Sequence, residues 1–252
     1  MPSRGSAGWR GLAGAGLLAV LAPMLTLYAG SGANASAAMA RVSAGKRAAC
    51  RFGTVLGLRL ARNHPELYSG YVGTDQDILA GGRERSAHAA LVERLRAAGR
   101  TKGLAAALAM GADRSTWTKA QVGEFNKLVL TSDPMSYDTM KTVVMRSLWF
   151  SPLHTLRGLR SHLKAMEFSE QLQLEAVEFD EWADGAEFRI PFFVFQGASD
   201  VLTPPDAAGR FFDDVTAPVK SFELIADASH FASFRHPDRF LDLMLAKVRP
   251  AL

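Results

Sequence analysis

P-F-F-V-F-Q-G-A-S-D-V-L-T-P-P, residues 191–205, is the stretch whose reading decides the fold. Phe192, Phe193, Val194 and Phe195 make a short, unbroken apolar run of strand-forming residues that stops at Gly197. Such a run predicts a strand buried on both faces of a parallel sheet. Asp200 then falls just past the strand's end. Residues 219–225 form a second run of the same kind, and His230 follows it in the same way. Parallel strands share one carboxyl edge, where open α/β sheets place their chemistry, so an acid and an imidazole would emerge there side by side. An acid and a histidine in that order are two parts of a nucleophile–histidine–acid device, and the remaining question is the nucleophile.

Working outward, the bulk properties narrow the classes. A chain of 252 residues with 48% hydrophobic and 21% charged residues is globular, large enough for one core plus a covering element. The single cysteine, Cys50, excludes an intrachain disulfide and a cysteine-based zinc site. Eight of the 29 Lys and Arg fall in residues 1–63, which hold no Asp or Glu; the remainder carries 21 basic against 25 acidic residues. The net charge of +4 thus belongs to the N-terminal quarter, and no basic face recurs that would suit nucleic acid. His88, His154 and His162 lie on predicted helices without acidic companions at ligand spacing, so neither a metal nor a cofactor is expected.

Four segments are expected. Residues 1–40 contain Arg4, Arg10 and then an uncharged run, most apolar over residues 17–27, closed by the small residues Ala33-Asn34-Ala35-Ser36-Ala37. That pattern suits a secretory signal or a weak membrane anchor touching lipid through residues 11–29. A mis-called gene start in a GC-rich sequence gives the same look. The first reading implies a secreted or anchored protein, the second a cytoplasmic one. Residues 41–82 hold a helix over 53–62 and a strand over 67–74 that ends in Asp75, Gln76 and Asp77. Residues 83–189 read as successive helices: one over 85–98, one over 116–130 opening on a threonine cap, one over 136–150, and another entered at Ser151-Pro152. Inserted between two strands, such a block is expected to act as a lid over the sheet edge. Residues 190–252 return to the sheet, with helices from Pro204-Pro205-Asp206 and from Pro237.

The motifs Phe52-Gly53-Thr54-Val55-Leu56-Gly57-Leu58, Tyr71-Val72-Gly73-Thr74-x-Gln76, Gln196-Gly197-x-x-Asp200-x-x-Thr203-Pro204 and Ser229-His230-Phe231 resemble the α/β-hydrolase superfamily. Within it they look most like the proline iminopeptidase-like serine hydrolases. The likeness runs from about residue 52 to the C-terminus. It implies that Asp200 is the acid and His230 the base of a serine triad cleaving amide or ester bonds of a small molecule or short peptide. The family's nucleophile turn aligns with Ala49-Cys50-Arg51-Phe52-Gly53, where Arg51 stands at the serine position. A guanidinium is always protonated and cannot attack a carbonyl. Cys50 is the candidate substitute nucleophile, but it is displaced by one residue from the apex, and a small buried cysteine is its plainer reading. The family's earlier strands and oxyanion loop have no counterpart in the residues before this turn, so the first strand of the sheet is expected to present an open edge that a partner would cover.

The resemblance further implies that Asp75 and Gln76 contact a substrate amine, against the plainer reading of a capping loop. Trp117, Trp149, Phe150 and Trp182 fall in the helical block; packing is their ordinary role, with Trp149 the candidate to line a pocket. Two functions follow: a hydrolase by descent whose activity is compromised at Arg51, or a non-catalytic binding protein that keeps the pocket.

Overall fold

The computed structural model describes residues 17–20, 53–80, 85–150, 155, 158 and 179–252. Four parallel strands form one sheet in the order β1 (Leu17–Val20), β2 (Gly70–Thr74), β3 (Phe192–Gly197) and β4 (Lys220–Ile225). The register sets Tyr71 against Phe192 and Phe193 against Ser221. As the unbroken apolar run predicts, every residue of β3 is buried. Its side chains alternate between two cores with the period of two that a strand imposes. Phe192 and Val194 pack with Leu58, Tyr71 and Phe211 on one face, while Phe193 and Phe195 pack with Phe240, Leu243 and Val248 on the other.

Helix α1 (Gly53–Asn63) covers the first face through Leu58 and Ala61, and His64-Pro65 stops it. Pro65 opens a 3₁₀ turn, Pro65–Leu67, which is why β2 starts at Gly70 rather than at residue 67. Between β2 and β3 come α2 (Ser86–Ala97), α3 (Thr101–Met110), α4 (Lys119–Ser132), α5 (Pro134–Thr139) and α6 (Met145–Phe150). Thr118, not Thr116, caps α4, because Gln121 stands at the position that completes a reciprocal capping box. A π-helical turn, Met140–Val144, divides the predicted helix over 136–150 into two. This block has its own core of Leu91, Leu95, Trp117, Phe125 and Val129, which reaches the sheet edge at Val201. After β3 come α7 (Pro205–Asp214), then β4, α8 (Ala232–Arg235) and α9 (Pro237–Leu243).

One expectation is corrected. β2 does not present an open edge, because Leu17–Val20 pairs with it in parallel, Leu17 opposite Gly70 and Val20 opposite Gly73. Those residues belong to the run that reads as signal-like. A short apolar run serves equally well as a buried parallel strand, and composition alone does not separate the two. The rest of the signal-like run, the turn carrying Cys50 and Arg51, and the helix expected from Ser151-Pro152 lie outside the described residues. No helix among the described residues is long and apolar enough to cross a membrane.

Candidate functional site

Asp200 and His230 meet at the carboxyl edge as their strands predict. His230 Nδ1 lies 2.9 Å from Asp200 Oδ2. The loop after β3 saturates this carboxylate: Asp200 Oδ1 accepts the backbone N–H groups of Leu202 (2.8 Å) and Thr203 (3.0 Å), and Oδ2 also accepts the Thr203 hydroxyl at 2.7 Å. Thr203 Oγ1 stands 3.3 Å from His230 Nδ1 as well, so hydroxyl and carboxylate together fix the ring. An imidazole held at Nδ1 by a fully bonded carboxylate presents its other nitrogen as a base.

The sequence around Asp200 explains the rigidity of its loop. Gln196, buried at the end of β3, accepts the N–H of Gln76 at 2.8 Å and donates to the backbone oxygen of Thr203 at 2.5 Å, tying the ends of β2 and β3 to the Asp200 loop. Gly197 is required because a Cβ there would stand 2.3 Å from the carbonyl oxygen of Ser229, the residue before His230. Phe231, just after the histidine, takes a left-handed conformation with φ 72°. That conformation is uncommon for a bulky residue, and it turns the chain into α8.

A second network, from the helical block, holds the same loops. Asp133 caps α5 by accepting the N–H groups of Met135 and Ser136. Its Oδ2 also accepts the hydroxyls of Ser136 (2.8 Å) and of Ser229. Ser136 Oγ lies 3.3 Å from the His230 carbonyl. Arg94, on α2, donates to the Ser199 carbonyl at 3.1 Å and sits 3.7 Å from Asp133. In sequence Asp133 reads only as a helix separator before Pro134, since a cap has a local signature and a contact to residue 229 has none.

The remaining candidates fall out differently. Gln76 is buried, and its amide is occupied by the Tyr71 hydroxyl and the Asp77 carbonyl. Gln76 thus braces the ends of β2 and β3. Asp75 is 1% exposed and its carboxylate does not face solvent. It lies beside the pair instead: Asp75, Asp200 and His230 each bring a polar atom within 4.8 Å of the other two. The oxygens of Asp200 in this cluster are already engaged by the donors named above. Burial raises the Asp75 pKa to about 6; the charge of His230 opposes the rise and that of Asp200 adds to it. Trp149, at the end of α6, is 59% exposed, and Trp117 and Trp182 pack against Phe125 and Phe211.

No protein-family model matches the sequence, and no curated protein matches it. Similar solved structures include Rv0554 from Mycobacterium tuberculosis (20% identity, TM-score 0.44, covering 80% of this chain and 64% of that one). NosK from Streptomyces actuosus is similar at 17% identity and TM-score 0.47, covering 86% and 74%. A thermophilic esterase from Thermogutta terrifontis is similar at 17% identity and TM-score 0.46, covering 79% and 62%. The chain thus spans a little under two thirds of the length of the first and the third. The chemistry of the site rests on its own residues.

Proposed function

We propose that the chain is an α/β-hydrolase-type protein acting on amide or ester bonds of a small molecule or short peptide, with His230 as the proton-transferring base and Asp200 as its orienting acid. The observation that carries this reading is the 2.9 Å contact between His230 Nδ1 and the otherwise saturated Asp200 carboxylate at the carboxyl edge of a parallel sheet. In such a device the base removes a proton from a hydroxyl, thiol or water as it attacks the carbonyl. It returns that proton to the leaving group, through an acyl-enzyme where the nucleophile is a side chain. An aminopeptidase specificity follows only from the sequence resemblance. The helical block, whose core reaches the sheet edge at Val201, is the element we assign as lid.

Arg51 at the aligned nucleophile position favours a second reading, a binding protein that retains the pocket without turnover. One experiment separates them. The purified chain is assayed on nitrophenyl esters and aminoacyl anilides, alongside His230→Ala, and ligand-dependent melting shifts are recorded in parallel. Turnover that falls by about 10² to 10⁴ in His230→Ala supports the hydrolase. Turnover unaffected by that substitution overturns it, and melting shifts without turnover establish the binding protein. A Cys50 labelled by iodoacetamide no faster than a free thiol removes that residue as nucleophile.

A further inference from the structure

Every polar atom of Asp200 is engaged, whereas both carboxylate oxygens of its neighbour Asp75 are buried without a hydrogen bond. Asp75 sits one residue past β2 with φ 51°, a left-handed conformation that non-glycine residues seldom adopt. A buried carboxylate ordinarily acquires donors or an arginine, because leaving it unpartnered costs several kcal/mol. Here the neighbours are the His230 ring, the Asp200 carboxylate and the backbone amides of Phe231 and Ala232, the amides favouring its charge less than burial opposes it. Strained backbone together with an unpartnered buried acid beside an imidazole marks a position retained for chemistry rather than packing.

We propose that Asp75 is a second acid for His230, so that the imidazole is held between two carboxylates from different strand ends. Asp200 fixes the ring through Nδ1. Asp75 acts through the ring's charge: when His230 gains a proton, the resulting imidazolium is stabilised by the Asp75 carboxylate, and when the ring loses it the Asp75 charge is left without that support and binds its own proton more tightly. An ionised Asp75 beside a neutral ring would leave a charge in the interior with no cation facing it, so Asp75 and the His230 ring exchange protons as one unit. Among the described residues, Arg94 and Asp133 reach the loops that carry Asp200 and His230 through Ser199 and Ser229, and they lie 3.7 Å apart and compensate each other. Asp75 is therefore a positioning residue that tunes the base. This inference rests on the reading of His230 and Asp200 as a base and its acid, but it does not need turnover to be tested.

The full chain labelled with ¹³C at histidine Cε1 and aspartate Cγ is titrated by NMR, with His230→Gln and Asp75→Asn assigning the two signals. In the wild-type chain the Asp75 carboxyl and the His230 ring are expected to show a shared inflection. Asp75→Asn is expected to lower the His230 midpoint by roughly 1 to 3 pH units. Asp200→Asn alone should lower it less than the difference between the double variant and Asp75→Asn, since each acid covers for the other. An Asp75 signal with a single inflection near 4 and no echo from His230 overturns the proposal, and this measurement stands even where Asp75→Asn does not fold. An unchanged His230 midpoint in a folded Asp75→Asn overturns it as well. A chain that shows the shared inflection yet no turnover would refute the hydrolase reading and leave the role of Asp75 intact.

Discussion

Two buried carboxylates, Asp75 at the carboxyl edge of the sheet and Glu181 on its flank, hold their charge in opposite ways. Glu181 is fully buried but faces Arg62 at 3.4 Å, in a cluster where Arg59 also bridges to Asp184 at 2.7 Å. Burial raises its pKa to about 7, with Arg62 as the main opposing influence. Asp75 has no such arginine; the charge nearest it is a histidine that is itself conditional on pH. The flank uses a permanent cation and so gains a structural tie between α1 and the segment before β3. The edge uses a titratable one and gains a group that can change state. What separates a structural carboxylate from a functional one here is the kind of partner each was given, not the depth of burial.

The comparison can be broken at four places. The largest effect is expected at the contact that joins the two loops of the edge: Gly197→Ala forces a Cβ against the Ser229 carbonyl and should cost about 4 kcal/mol or more in chemical denaturation. Next, Arg62→Met leaves Glu181 buried without its cation and should cost about 3 kcal/mol near neutral pH. Asp75→Asn should act in the opposite direction, raising stability at pH 8 by about 2 kcal/mol, because it removes a charge that folding disfavours. The sign follows from proton linkage. Asp75 rises from an ordinary 3.8 to about 6 and Glu181 from 4.5 to about 7, so the folded state binds these protons more tightly than the unfolded one. Their contribution is full below about pH 4 and is lost as pH rises through 6 and 7; melting temperatures measured from pH 4.5 to 8 should fall, and fall less steeply in Asp75→Asn. Ser229→Ala removes one hydroxyl from Asp133 and should cost about 1 kcal/mol.

Much of the edge was legible before any coordinates. Residues 192–195 announce a buried strand by composition, Gly197 ends it, and the spacing to Asp200 and from residue 225 to His230 follows from strands that stop in register. Thr203 lies six positions past the strand end, and its motif does not declare that its hydroxyl bonds Asp200 beside the His230 ring. The second acid was not legible as such. Asp75, Gln76 and Asp77 are three polar residues after a strand, and only the pairing of Tyr71 with Phe192 turns the first towards His230 and the second towards Gln196. Arg62 and Glu181 are 119 positions apart and carry no pattern that links them. Leu17–Val20 carries no sequence signal for its pairing with β2, since four apolar residues are too short a run to declare their environment.

The pairing of β2 with β3 also sets the order in which the molecule can assemble. Gln76 and Gln196 meet although they stand 120 positions apart, whereas α2 to α4 find most of their core partners within a few tens of residues. Closing the long loop costs chain entropy before any strand contact repays it, so the helical block is expected to acquire amide protection first and the sheet edge last. Until that late step both buried carboxylates remain in water, ionised and free of the interior. Asp75 and Asp200 come together with His230 only at the final closure, and a chain arrested before it would keep its helices while lacking every proton equilibrium that distinguishes the finished site.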